Sequence, residues 1–178
     1  DLDLAAEVAK RNDWELVKQP IDWDAKDMEL SSGAIDCIWN GFTINGREKS
    51  YEWSEPYVDN SQVVLVKKSS GIKNLAGLKG KVVAVQTDTP VQKALSAKGS
   101  KEALGKTFKK LIVTPNYNNA VMELEAGSVD AVAMDIAIEN RGKIRTYIQS
   151  LISKVASLII PPFMELARLP MKNIAGIA

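Results

Sequence analysis

Apolar and polar positions along the chain switch between helical spacing and strand alternation, in the order expected of an α/β protein. The opening, DLDLAAEVAKR, puts Leu2, Ala5, Ala6, Val8 and Ala9 on one helical stripe. Asp1, Asp3 and Glu7 come early and Lys10 and Arg11 late, as the helix dipole favours. WELVK, Trp14 to Lys18, alternates as a strand. Asp24 to Ser31 reads as a short helix, with Gly33 suited to its C-terminal cap. A buried strand, Ile35 to Trp39, follows, and Gln62 to Lys68 is a second strong strand.

Beyond Ser69–Ser70–Gly71 the pattern resumes. Asn74–Leu78 is a short helix ending at Gly80, and Lys81 to Val85 is a strand apolar on both faces, as in a parallel sheet. After the Gln86–Thr87–Asp88 loop, Thr89 and Pro90 form a helix start, with Thr as cap and Pro at the first helical position. Leu111–Val113 is a strand, Asn118 caps a helix that runs to Ala126 and stops at Gly127, and Asp130 to Met134 is a further strand. Two segments echo each other: MELSSGAIDCI (Met28–Ile38) and MELEAGSVDAV (Met122–Val132) both run from helix end through Gly and Asp into a strand. The echo predicts two α/β lobes of similar build, joined by crossover strands near Val66–Ser70 and Met134–Ala137.

Composition narrows the function. The 178 residues are 46% hydrophobic and 25% charged, enough to bury a core. Lys+Arg total 23 against 22 Asp+Glu, a formal charge of +1, and nothing in that balance points to nucleic acid. Histidine is absent and Cys37 is the single cysteine. The usual general base and the commonest metal ligand are therefore missing, and no disulfide can form within the chain. The chain lacks GxGxxG, GxxxxGK[ST], HExxH and CxxC patterns, so no cofactor or metal is expected.

The candidate chemistry is that of a zwitterion pocket. IDCIWNGFTINGR (Ile35–Arg47) starts apolar, then presents Asn40, Gly41, Phe42 and Thr43 before Arg47. In open α/β sheets ligands sit beyond the C-terminal ends of strands, and the Arg fork matches a carboxylate. The plainer reading is a strand and loop with a surface Arg. Thr89 starts a helix whose free N–H groups suit an anion, or is simply a good cap. Asp135 ends its strand where a carboxylate could hold an ammonium group, or could cap the next helix. Trp23, at a strand-to-helix turn, could stack on a ligand or pack in the core.

These segments resemble the polar amino-acid family of extracellular solute-binding proteins that serve ABC importers. DLDLAAEVAKR resembles the family's opening helix, and PIDWDAKDMELSSGAIDCIWNGFTINGREKSYEWSEPYVDNSQVVLVKK the rest of its first lobe. LKGKVVAVQTDTPVQKAL and LEAGSVDAVAMD resemble the second. The resemblance covers about Asp1 to Ile148. It implies an α/β fold of the type II periplasmic-binding-protein kind, with two Rossmann-like lobes, parallel-dominated sheets and two crossover strands, closing on one amino acid. Residues 1–67 would form an incomplete lobe 1, 68–135 lobe 2, 136–150 the second crossover and helix, and 151–178 an atypical apolar tail.

The resemblance also implies roles. Trp23 and Phe42 would meet the ligand side chain, and Asn40, Gly41 and Thr43 would hydrogen-bond the ligand. Arg47 and the Thr89 helix start would take its carboxylate, and Asp135 its ammonium group. The implied partners are an amino acid and an ABC transporter permease, for a monomer anchored outside the cell or in the periplasm by a segment not in this sequence. Three features depart from the family pattern. The loop after Thr43 is shorter. Asp88 replaces a small residue and would bring a second carboxylate near the anion site. At the ends, the strand that normally precedes DLDLA and the usual return segment are not evident, so Leu2, Ala5 and Val8 are expected to lack packing partners and lobe 1 to be weakened. The tail ARLPMKNIAGIA faintly resembles permease sequence. Two other readings are an enzyme of the cyclic-acid dehydratase type, using Asp88 or Asp135, and a non-binding remnant of a receptor–permease fusion.

Overall fold

The computed structural model describes residues 1–59, 61–135, 152–158 and 163–168. The chain divides into two units, Asp1–Asp59 with Pro162–Ala178, and Asn60–Pro161. The stretch 136–151, where the sequence places the second crossover and a helix, lies outside the described residues, as does 169–178.

In the first unit, α1 (Leu2–Arg11) carries Asp3 in its first turn and Lys10 and Arg11 in its last, with Arg11 paired to Glu7 at 2.8 Å. Only Ala5 and Ala9 of its stripe are buried; Leu2 is 56% and Val8 37% exposed. Leu2 and Val8 thus gain little from burial, whereas Ala5, also expected to lack a packing partner, is buried. Trp14–Lys18 forms no regular element, and Trp14, Leu16 and Val17 are exposed. Alternation alone does not make a strand without a neighbour to complete its ladder. A 3-10 turn at Trp23–Ala25 leads into α2 (Lys26–Ser32), which ends at Gly33 with φ 76°. The strand β1 spans Ile38–Thr43, so Asn40 to Thr43 lie inside the strand rather than beyond its end. The short strands β2 (Glu52–Trp53) and β3 (Val58–Asp59) complete the unit's N-terminal part.

The second unit begins with β4 (Gln62–Lys67), which the sequence reading assigned to lobe 1. It continues with β5 (Val82–Gln86), α3 (Pro90–Leu95), α4 (Glu102–Gly105), β6 (Lys110–Thr114), α5 (Tyr117–Ala126), β7 (Ala131–Asp135) and β8 (Ile152–Leu158). The sheet order is β6-β5-β7-β4-β8. β5 is parallel to β6 and β7, while β4 runs antiparallel to β7 and β8. β6 follows β5 through α3 and α4, and β7 follows β6 through α5, so both return parallel to β5. Its alternate residues face two cores. Val63 and Leu65 pack with Tyr117, Val121 and Leu124 of α5, and Val64 and Val66 with Val91 and Leu95 of α3.

The tail, left without a structural role by sequence, supplies β8 and then β9 (Phe163–Arg168). β9 lies between β1 and β2 and also pairs with β3, antiparallel in each case. These six residues therefore belong to the first unit's sheet.

The sequence echo is reproduced in the backbone. Gly33 and Gly127 are both left-handed, at φ 76° and 82°. Ala34 and Ile35 donate to the Glu29 carbonyl at 3.0 and 3.3 Å, as Ser128 and Val129 donate to that of Glu123 at 3.0 and 3.4 Å. One predicted cap moves. The Asn116 side chain, not that of Asn118, accepts from the Asn119 N–H at 2.9 Å and starts α5. Asn116→Ala is expected to cost about 1 kcal/mol of stability and Asn118→Ala almost nothing; urea unfolding of both variants checks the assignment.

Candidate functional site

The predicted residues fall into two groups, one in each unit. In the first unit, Phe42 is 2% exposed and is surrounded by rings. Trp23 meets it edge-on at 4.9 Å and Tyr51 at 5.1 Å, and Trp53 lies tilted against it at 5.2 Å. Such pairs contribute about 0.5–1.5 kcal/mol each beyond their burial. Phe42 is thus a core residue of this unit. Trp23 is half-buried; the Lys26 ammonium lies 5.1 Å from its ring, and its indole N–H has no hydrogen-bond partner among the described residues.

Arg47 is not a surface side chain. It is 6% exposed and its guanidinium carbon lies 4.8 Å from the Phe42 ring centroid. Its Nη1 donates to the Thr43 carbonyl at 3.1 Å, and its own carbonyl accepts from the Trp53 indole at 3.3 Å. The Asn45–Gly46 turn makes this possible: Gly46 takes φ 79°, and the Arg47 N–H closes on the Ile44 carbonyl at 2.8 Å. A guanidinium on an aromatic face is held in a fixed orientation. Thr43 is buried beside it, and Asn40 is exposed on the same strand, with Gly41 between Asn40 and Phe42.

In the second unit, β5, β6 and β7 end at Gln86, Thr114 and Asp135. Gln62 opens the antiparallel β4 directly opposite Asp135, so it lies on the same sheet edge. Thr89 is buried above that edge as the cap of α3; its hydroxyl donates to the Gln86 carbonyl at 2.8 Å and accepts from the Gln92 N–H at 3.3 Å. Asp88, at φ 47°, points its carboxylate to the Lys93 ammonium at 3.3 Å. That pairing lies along α3, with the Asp88 N–H donating to the Gln92 side chain at 2.6 Å.

Asp135 accepts from the Gln62 amide Nε2 and from the Tyr117 hydroxyl, the latter at 3.2 Å. Sequence reasoning missed both donors. Gln62 carried a signal, being the one polar residue in the run QVVLV; Tyr117 was hidden as the first residue of its helix. Burial lifts the Tyr117 phenol well above its ordinary value of 10.0, the Asp135 charge adds to the rise, and the Thr89 hydroxyl opposes it.

Residues 1–112 match the family of bacterial extracellular solute-binding proteins, family 3. The chain belongs to this family. It is 34% identical over 87 residues to the arginine-binding extracellular protein ArtP of Bacillus subtilis, covering 48% of this chain and 34% of that one. It is 29% identical over 141 residues to ABC transporter arginine-binding protein 1 of Escherichia coli, covering 79% and 55%. The chain thus spans between a third and about half of these relatives' lengths. Among solved structures, an ABC uptake transporter substrate-binding protein from Streptococcus pneumoniae with bound histidine superposes with TM-score 0.80 and 27% identity, over 95% of this chain and 69% of that one. The arginine-, lysine-, histidine-binding protein ArtJ from Geobacillus stearothermophilus gives 0.76 and 30%, over 95% and 71%. The family and these relatives are binding proteins rather than enzymes.

The buried phenol of this solute-binding-protein chain has a measurable consequence. The unfolded chain releases the Tyr117 proton near pH 10.0, whereas the folded chain retains it. Stability from this group is complete below that pH and is lost as pH rises towards the folded value. Urea unfolding above about pH 10 is expected to show stability falling more steeply in the wild type than in Tyr117→Phe; equal slopes contradict the assignment.

Proposed function

We propose that this chain is the ligand-binding component of an ABC importer and that it binds a polar amino acid, with arginine and histidine the first candidates. The observation that carries the reading is the Asp135 carboxylate at the C-terminal edge of the parallel strands, oriented by Gln62 and Tyr117. Both are neutral donors that fix the orientation of the carboxylate. A ligand ammonium group arriving at this edge gains a charge-assisted hydrogen bond to a carboxylate already in place. Thr89 and the first N–H groups of α3 stand on the same edge.

In the first unit, the proposal assigns Arg47 to the ligand carboxylate, with Asn40, Gly41 and Thr43 as hydrogen-bonding groups and Trp23 as a face for the side chain. Phe42 acts indirectly, as the surface on which Arg47 rests, and Asp88 acts through its pairing with Lys93. The names of the relatives support a basic or polar side chain on the ligand. The family description supports a location outside the cytoplasm, and the naming of a relative as an ABC transporter protein supports a permease as the partner. The receptor works as a monomer in this reading.

A thermal-shift screen against the twenty amino acids and cystine tests the proposal. A ligand at a hundredfold excess over its Kd stabilises the folded chain by about 2.7 kcal/mol. One or a few amino acids are expected to raise the melting temperature. Asp135→Asn is expected to weaken that ligand by at least about thirtyfold while the melt stays cooperative. A cooperative wild-type melt that no amino acid shifts would overturn the reading.

A further inference from the structure

Gln62 is completely buried, yet only half of its amide is used. It stands opposite Asp135 in the β4–β7 ladder, and its Nε2 donates to Asp135 Oδ1. An ionised carboxylate only accepts hydrogen bonds, so the amide must turn its NH2 towards Asp135 and its oxygen away. That oxygen, Oε1, is buried and has no hydrogen-bond partner among the described residues. A buried acceptor left unpaired is costly, and native proteins rarely keep one without a use. The cost is not a packing accident at a loose surface. Gln62 begins a strand whose next four residues are also buried, so its side chain cannot swing out without disturbing the ladder.

The surroundings indicate what would complete it. The other Asp135 oxygen, Oδ2, accepts from the Tyr117 hydroxyl at 3.2 Å. The Thr89 hydroxyl has already given its proton to the Gln86 carbonyl. The cluster therefore combines a carboxylate, oriented by the Gln62 amide and the Tyr117 hydroxyl among its partners, with an amide oxygen that lacks a donor among the described residues. A single ligand nitrogen can serve both acceptors if it carries several N–H groups and a positive charge.

Building on the receptor reading above, we infer that Gln62 Oε1 accepts one N–H of the ligand's primary ammonium group while Asp135 takes another. Gln62 is then a specificity residue: it makes the second unit select amines with at least two free N–H donors. A tertiary amine carries one N–H and can satisfy only one of the two acceptors. The buried oxygen left over is the source of discrimination.

The test is a cycle of two changes, one in the protein and one in the ligand. Wild type and Gln62→Met are titrated calorimetrically with L-arginine, L-histidine and the Nα,Nα-dimethyl derivative of whichever binds. Gln62→Met is expected to weaken the parent amino acid by about tenfold or more, the loss typical of a hydrogen bond to a charged group. Dimethylation is expected to cost the wild type severalfold more than it costs Gln62→Met, because the variant has no Oε1 to leave unpaired. Equal dimethylation penalties, or unchanged binding of the parent by Gln62→Met, would overturn the role of Gln62 while leaving the receptor reading intact. If the wild type binds neither, the amino acid that raises its melting temperature in the screen takes their place; if none does, the receptor reading fails and this inference fails with it. Should Gln62→Met not melt cooperatively, Gln62→Glu takes its place near pH 5, where a shared proton lets the new side chain both donate to Asp135 and accept from the ligand. Parent binding retained within threefold supports the inference, and its loss contradicts it.

Discussion

The register of β4 against β7 is the constraint on which the second unit depends. Four consecutive residues of β4, Val63 to Val66, are buried and face two different cores in alternation. A slip by one residue would exchange every one of those faces. It would also separate Gln62 from Asp135, the one polar pair in a ladder otherwise made of apolar partners. The hydrophobic pattern therefore does two things at once. It sets the strand pairing, and through that pairing it delivers an amide and a carboxylate to the same edge. Helices from the two faces of the sheet then reach this edge with Thr89 and Tyr117.

The first unit is held by a different device. Its core is a ring cluster around Phe42, and Arg47 is laid across that ring rather than left in solvent. A buried guanidinium has to be hydrogen-bonded, and the Thr43 carbonyl supplies one acceptor from the strand that carries Phe42. The same few residues, from Phe42 to Arg47, thus form the core, the turn and the oriented cation. The sheet itself is completed by β9, which comes from far along the chain and pairs with β1, β2 and β3. Of the stripe on α1, Ala5 and Ala9 are buried while Leu2 and Val8 stay exposed.

Local signals carried much of this in the open. Thr89 with Pro90, Gly33 and Gly127 mark helix ends because caps and left-handed turns are decided by a few adjacent backbone groups. The strands Gln62–Lys67, Val82–Gln86 and Ala131–Asp135 were legible because runs buried on both faces are nearly continuous in apolar residues. WELVK misled because alternation is necessary but not sufficient for a strand. Asn116 and Asn118 were not separable because both can cap, and only the path of the chain selects one.

By itself the sequence determined the α/β class, the order of most elements, the paired helix ends of the two units and the residue types suited to a zwitterion. These rest on periodicity and on contacts within a few residues, which the order of residues specifies directly. Only the tertiary structure decided that Phe42 is core, that Arg47 is buried on it, that Asp88 turns to Lys93 and that Gln62 and Tyr117 converge on Asp135. Gln62 and Asp135 are 73 positions apart, and Tyr117 is 18 from Asp135. Such partners meet through strand pairing and packing across a sheet, where a side chain's neighbours are set by register and depth rather than by its place in the chain.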